Sequence, residues 1–138
     1  MQPGTLRLKA LKPKPYPENP QTVGEHLKRR RLILGMHQKE AAALMQVDPT
    51  TVLHWEKGYT EPPTSKVPAI VACLGYDPYP EAKTLAERLR AKRRAMGWSI
   101  RQAAKAVGVD STTWGQWERG RAVKWPRYQE QIKAFLSA

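Results

Sequence analysis

The sequence predicts an all-α chain in which one small helical unit is used twice. Residues 22–76 recur without a gap as residues 84–138, and 17 of the 55 aligned positions are identical. Both copies carry a Trp-Glu-basic-Gly signature, as Trp55-Glu56-Lys57-Gly58 and Trp117-Glu118-Arg119-Gly120. Apolar residues fall at helical spacing, and no stretch sustains the period-two alternation of a half-buried strand. A repeat of this length marks one folding unit duplicated.

Ahead of the repeats, residues 1–21 hold five of the twelve prolines among basic residues, which predicts an extended arm. The two copies, 22–76 and 84–138, are expected to form separate domains joined by a Pro-containing linker, residues 77–83. Each reads as five short helices. Thr22-Val-Gly-Glu25 and Thr84-Leu-Ala-Glu87 fit the capping box, in which a hydroxyl and a carboxylate satisfy orphan N–H groups reciprocally. Helix one is expected to turn Val23, Leu27 and Leu34 inward, with Leu85, Leu89 and Met96 as counterparts, and to end at Gly35 or Gly97 with positive φ.

Helix two starts after His37 or Ser99, and Ser99-Ile-Arg-Gln102 is a further capping box. Its paired alanines, Ala41-Ala42 and Ala103-Ala104, permit close helix approach. In the turn that follows, Gly108 suits a positive φ, whereas Gln46 suits it less well. Helix three is expected to be capped by Asp48 or Asp110, with Pro49 at its first position in the first copy. It places Val52 and Trp55, or Trp114 and Trp117, inward. Val67, Ile70, Val71 and Leu74 then fall at i, i+3, i+4 and i+7, and Tyr128, Ile132, Phe135 and Leu136 form a like stripe at the end of the chain.

The chain has 138 residues and a net charge of +12, which points to a polyanionic partner, nucleic acid before membrane. The charge is uneven, at +3 for residues 1–21, +1 for 22–78 and +8 for 79–138. Phosphate attraction is therefore expected to come mainly from the second copy. The lone Cys73 excludes an intramolecular disulfide and a Cys-based zinc site, and reads as a small core residue. No apolar run approaches the ~20 residues that span a bilayer, so the expectation is a soluble, cytoplasmic, nucleoid-associated protein with no membrane partner. The three histidines show no metal-ligand spacing, no phosphate-binding glycine loop is present, and no catalytic site, cofactor or small-molecule ligand is expected.

Two short helices joined by a tight turn form a helix-turn-helix. The run from Leu27 through Arg31, Gly35, Gln38, Ala41-Ala42 and Val47-Asp48 to Trp55-Glu56-Lys57-Gly58 resembles the Cro/C1 (XRE) family of bacterial and phage DNA-binding regulators. Its counterpart from Leu89 through Arg93, Gly97, Ala103-Ala104 and Val109-Asp110 to Gly120 resembles it too. The resemblance implies two lambda-repressor-like five-helix domains whose third helices enter the major groove of double-stranded DNA. Carried over by position, the base-facing residues are Pro49, Thr50, Thr51 and His54 in the first copy, and Ser111, Thr112, Thr113 and Gln116 in the second. Gln116 has the donor–acceptor pair to bind adenine bidentately, and threonine reaches a base edge or a thymine methyl. The family's phosphate-binding glutamine is present as Gln38 but is Ile100 in the second copy, where Arg101 can substitute by charge. Lys57 and Arg119 occupy positions suited to phosphate contact.

The resemblance also implies that Arg31–Glu56 and Arg93–Glu118 are structural ion pairs tying helix one to helix three. Trp55, Trp114 and Trp117 are expected in the core rather than as base-stacking platforms, while Trp98 is left open between a staple and an exposed aromatic. Arg30 and Lys92 sit where the family prefers an apolar residue, so their stems are expected along the core. The function read from these features is sequence-specific duplex-DNA binding in transcription regulation, with a target that is asymmetric because the reading positions differ. Homodimerisation is possible but not required, since one chain supplies two heads. The alternatives are a non-specific basic DNA-binding protein and an antitoxin-like or recombination accessory protein in which the nearly neutral first copy serves protein contact through Leu53, Tyr59 and Tyr79.

Overall fold

A computed structural model describes residues 16–138. The described residues hold eight α-helices, one 3-10 turn and no strand, so the all-α expectation holds. Most of the expected basic arm lies outside the described residues, and 16–21 are non-helical. By packing, the chain separates into a unit ending at Glu61 and a unit Pro62–Ala138.

The first unit contains α1 (Val23–Ile33), α2 (Gln38–Met45) and α3 (Pro49–Lys57). The Thr22 capping box forms as expected, with the Glu25 N–H donating to Thr22 Oγ1 at 3.1 Å and Glu25 Oε1 accepting from Thr22 N–H at 3.2 Å. Leu27, Ala41, Ala42, Met45, Val52 and Trp55 are buried, each large one contributing about 1.5–3 kcal/mol. Gly24 lets α1 meet α3 backbone to side, because a Cβ there would stand 1.8 Å from the Trp55 carbonyl oxygen. The α2–α3 turn requires Gln46 at φ 58°, the one positive φ outside glycine among the described residues. Asp48 precedes α3 with extended backbone but makes no capping side-chain bond, unlike its expected role. Pro49 occupies the first helical position, where its missing N–H leaves one fewer unpaired donor at the helix start.

The second unit opens with the 3-10 turn Thr64–Lys66 and α4 (Val67–Leu74), followed by α5 (Leu85–Met96), α6 (Ile100–Val107), α7 (Ser111–Glu118) and α8 (Pro126–Ser137). Val67, Ile70 and Leu74 form the buried stripe of α4, which packs beside α5. The Pro68 ring lies against Gly97, 3.0 Å from where a Cβ would be. Leu89, Ala103, Ala104, Val107, Trp114, Trp117, Val123, Ile132 and Phe135 form one core, with Trp98, Ile100, Val109, Tyr128 and Leu136 packed against it. Trp98, undecided from sequence, stacks on Phe135 at 6.2 Å between ring centroids.

Two details differ from expectation. Each repeat holds four α-helices rather than five: residues 59–63 and 121–125 stay non-helical, and only the first repeat adds a 3-10 turn. In the second repeat Val123 must reach the core from the coil, and Pro126 holds the preceding Trp125 extended, at φ −94° and ψ 128°. Leu34, Leu85 and Met96 are exposed at 49%, 41% and 41% rather than turned inward. They lie at the ends of α1 and α5, and the inward slots facing the third helices are filled by Arg31 and Arg93 instead.

Candidate nucleic-acid interface

Helix three of each repeat is amphipathic in a way that separates scaffold from surface. On α7, Trp114 and Trp117 are buried, while Ser111 and Thr112 are exposed and Thr113 and Gln116 half-buried. On α3, Val52 and Trp55 are buried, Pro49 and Thr50 exposed, and Thr51 and His54 half-buried. The positions named from sequence therefore lie on the outer side in both copies. Asp110 caps α7, its Oδ1 accepting from Thr113 N–H at 2.7 Å. That backbone hydrogen bond holds the Asp110 carboxyl below its ordinary value.

What fixes these helices is the ion pair behind each. Arg31 Nε and Nη2 donate to the two Glu56 oxygens at 2.7 and 2.9 Å, and Arg31 Nη1 also reaches the Met36 carbonyl at 2.9 Å. Arg93 forms the same fork on Glu118, at 2.6 and 3.0 Å, and reaches the Trp98 carbonyl at 3.1 Å. Glu118 also faces Arg90 at 3.6 Å and accepts from Trp114 Nε1 at 2.5 Å. Burial would raise the Glu118 carboxyl, but the hydrogen bonds from Arg93 and Trp114, with the two arginine charges, lower it on balance. These arginines tie the first helix of each copy to its third through the carboxylate.

The expected phosphate contacts differ between copies. Gln38 is half-buried, and its Nε2 donates to Glu56 Oε1 at 3.2 Å, so it is tied to the ion pair. Ile100, in the equivalent place, packs against the second core, and its neighbour Arg101 is exposed. The segment Pro63, Thr64 and Ser65 borders the same end of α6, near Ser99 and Gln102, and Thr64 Oγ1 lies 3.3 Å from Arg93 Nη1. Lys57 and Arg119 are both exposed. Lys57 stands over the Tyr59 ring at 5.8 Å, and His54 lies 5.8 Å from the same ring. Arg119 folds over Gly115, with Nη1 3.3 Å from where a Cβ would be.

Three residues escaped the sequence reading. Arg121, Lys124 and Trp125 line a cleft beside Thr113 and Gln116. The signal available in the sequence was the +8 charge of residues 79–138, which gave the sign of the surface but not its place. Among the described residues no cluster of three His, Cys, Asp or Glu side chains suits a metal, and no helix is long and apolar enough to cross a membrane.

Two short helices joined by a tight turn, α2–α3 in one copy and α6–α7 in the other, are the helix-turn-helix arrangement. Residues 27–79 match the family model described as helix-turn-helix, and residues 84–135 match that of a helix-turn-helix domain, leaving only 80–83 between them. The chain is a tandem helix-turn-helix DNA-binding protein, its first module of the Cro/C1 (XRE) type. No curated protein and no solved structure matches it.

Proposed function

We propose that the chain is a sequence-specific regulator of transcription that reads the major groove of duplex DNA with α3 and α7. The observation that carries this reading is the register of the two copies. In each, the third helix buries its aromatic side and turns Thr50 or Thr112, with the residue before it, to solvent. The functional modules follow the repeat, 22–76 and 84–138, and the first family match, extending to residue 79, supports including α4 in the first.

Thr50, Thr51 and His54 with Pro49 read one half-site, and Ser111, Thr112, Thr113 and Gln116 read the other. Arg101, Arg119 and Lys57 hold phosphates, with Gln38 contributing through its free donor. Because the reading residues differ, the preferred site is asymmetric, and its place of work is the nucleoid. Selection from a randomised duplex pool, followed by anisotropy titration at two salt concentrations, tests this. A selected site is expected to bind at least about 10³-fold tighter than random duplex. Gln116→Ala is expected to cost about 1–3 kcal/mol at one base pair and to relax preference there only. Equal affinity for every duplex, collapsing with salt, would refute the reading.

A further inference from the structure

The coil between α7 and α8 forms one wall of a cleft of about 390 Å³, within the size range of small-ligand sites. The reading helix forms the other wall. Thr113 and Gln116 supply hydroxyl and amide groups, Arg121 and Lys124 supply charge, and Trp125 and Tyr128 supply aromatic faces. Trp125 is 68% exposed, and a second hollow borders it toward Arg127. Neither the Arg121 nor the Lys124 side chain is paired with an acid among the described residues. Tyr128, by contrast, is held in place: its ring lies 5.7 Å from Trp117, and its hydroxyl accepts from Arg127 at 3.1 Å.

The repeat supplies an internal control. Positions 121, 124 and 125 correspond to Tyr59, Pro62 and Pro63, and the first-copy segment 57–63 balances Lys57 with Glu61. The second-copy segment 119–125 holds Arg119, Arg121 and Lys124 and no acid. The unbalanced positive charge and the indole therefore belong to one copy and are not demanded by the shared fold, the first copy having an exposed Tyr59 beside the single, balanced cation Lys57. Charge beside an exposed indole is the arrangement that binds single strands, where cations track the backbone and bases stack on aromatic faces.

We propose that this cleft binds single-stranded DNA, with Arg121 and Lys124 on a phosphate and a base stacked on Trp125. Gln116 and Thr113 then face the base edge, so a single strand and a duplex compete for the second module. This site stands on the cleft itself and does not require that duplex binding be sequence-specific.

The test is anisotropy titration of the full chain with a fluorescent oligothymidine strand and, separately, with a duplex. Trp125→Ala is expected to weaken strand binding about tenfold, and Trp125→Phe to restore most of it. Duplex affinity should change far less, and unlabelled strand should displace duplex. Replacing Arg121 and Lys124 by Gln should flatten the salt dependence of strand binding by about 0.7 per cation. The proposal is overturned if the wild-type chain does not bind the strand, or if Trp125→Ala leaves strand affinity unchanged. Equal losses on strand and duplex overturn it as well. Strand binding that depends on Trp125 in a chain that selects no duplex sequence would retain this site and remove the regulator reading.

Discussion

The two helix-turn-helix copies align helix for helix at a constant offset, yet they are held together by different means. In the first, Gly24 lets α1 lie directly on the α3 backbone, and Trp55 is the one buried aromatic. In the second, Ala86 stands where Gly24 does, and the core fills with Trp114, Trp117 and Phe135, with Trp98 and Tyr128 packed against them. The acid on the third helix differs in the same sense. Glu56 holds Arg31 and the Gln38 amide, whereas Glu118 holds Arg93, Arg90 and the Trp114 indole. One fold thus tolerates either close backbone approach or aromatic bulk at its central crossing. The copy built on bulk also carries the charge.

Breaking the acid is expected to have the largest effect. Glu118→Gln leaves Arg93 buried without its counter-charge and should cost about 3–5 kcal/mol, read as the midpoint of urea unfolding. Glu56→Gln should cost less, since only one arginine is stranded. The Glu118 carboxyl lies below its ordinary 4.5 when folded, so its contribution is full above that pH and is lost as the pH falls through the folded value. Wild-type unfolding should therefore show an acid limb that Glu118→Gln flattens. An unchanged acid limb would remove Glu118 as its source.

Close approach is tested next. Gly24→Ala places a methyl carbon against backbone that no rotamer change can move, and is expected to cost about 3 kcal/mol. Ala86→Gly in the second copy should cost only the helix-propensity difference, about 1 kcal/mol. Similar losses for both would mean that the copies cross alike after all. A gain is expected from Gly115→Ala, about 0.5–1 kcal/mol in thermal stability, because the added carbon meets only the mobile end of Arg119. The smallest effect is Gln46→Gly, a gain of about 0.5 kcal/mol as the left-handed strain of 58° is relieved against added chain entropy. A loss on Gln46→Gly would show that the glutamine side chain earns its place by its own contacts.

Much of this was legible because it is local. The capping boxes at Thr22, Thr84 and Ser99, the positive φ at Gly108 and Gln46, and the helical spacing of Val52, Trp55, Trp114 and Trp117 all depend on residues within a turn or two of one another. The Arg–Glu forks, 25 residues apart, were legible only through family resemblance. Periodicity misplaced Leu34, Leu85 and Met96 because it gives a helix's apolar side without saying how far along the helix its partner reaches. The side-chain cap expected of Asp48 does not form although its residue type is right and Asp110 makes the bond at the equivalent place, so residue type alone did not settle the cap.

By itself, then, the sequence determined the all-α class, the two copies in one register, the helix ends and the sign of the charge. These follow from short-range hydrogen bonding and from composition, which need no knowledge of what packs where. Only the tertiary structure decided that Leu34, Leu85 and Met96 stay exposed and that Arg90 and the Trp114 indole join the Arg93–Glu118 pair. It alone placed Arg121, Lys124 and Trp125 beside α7. Those outcomes depend on distances between segments far apart in the chain, and a single sequence carries no direct record of them.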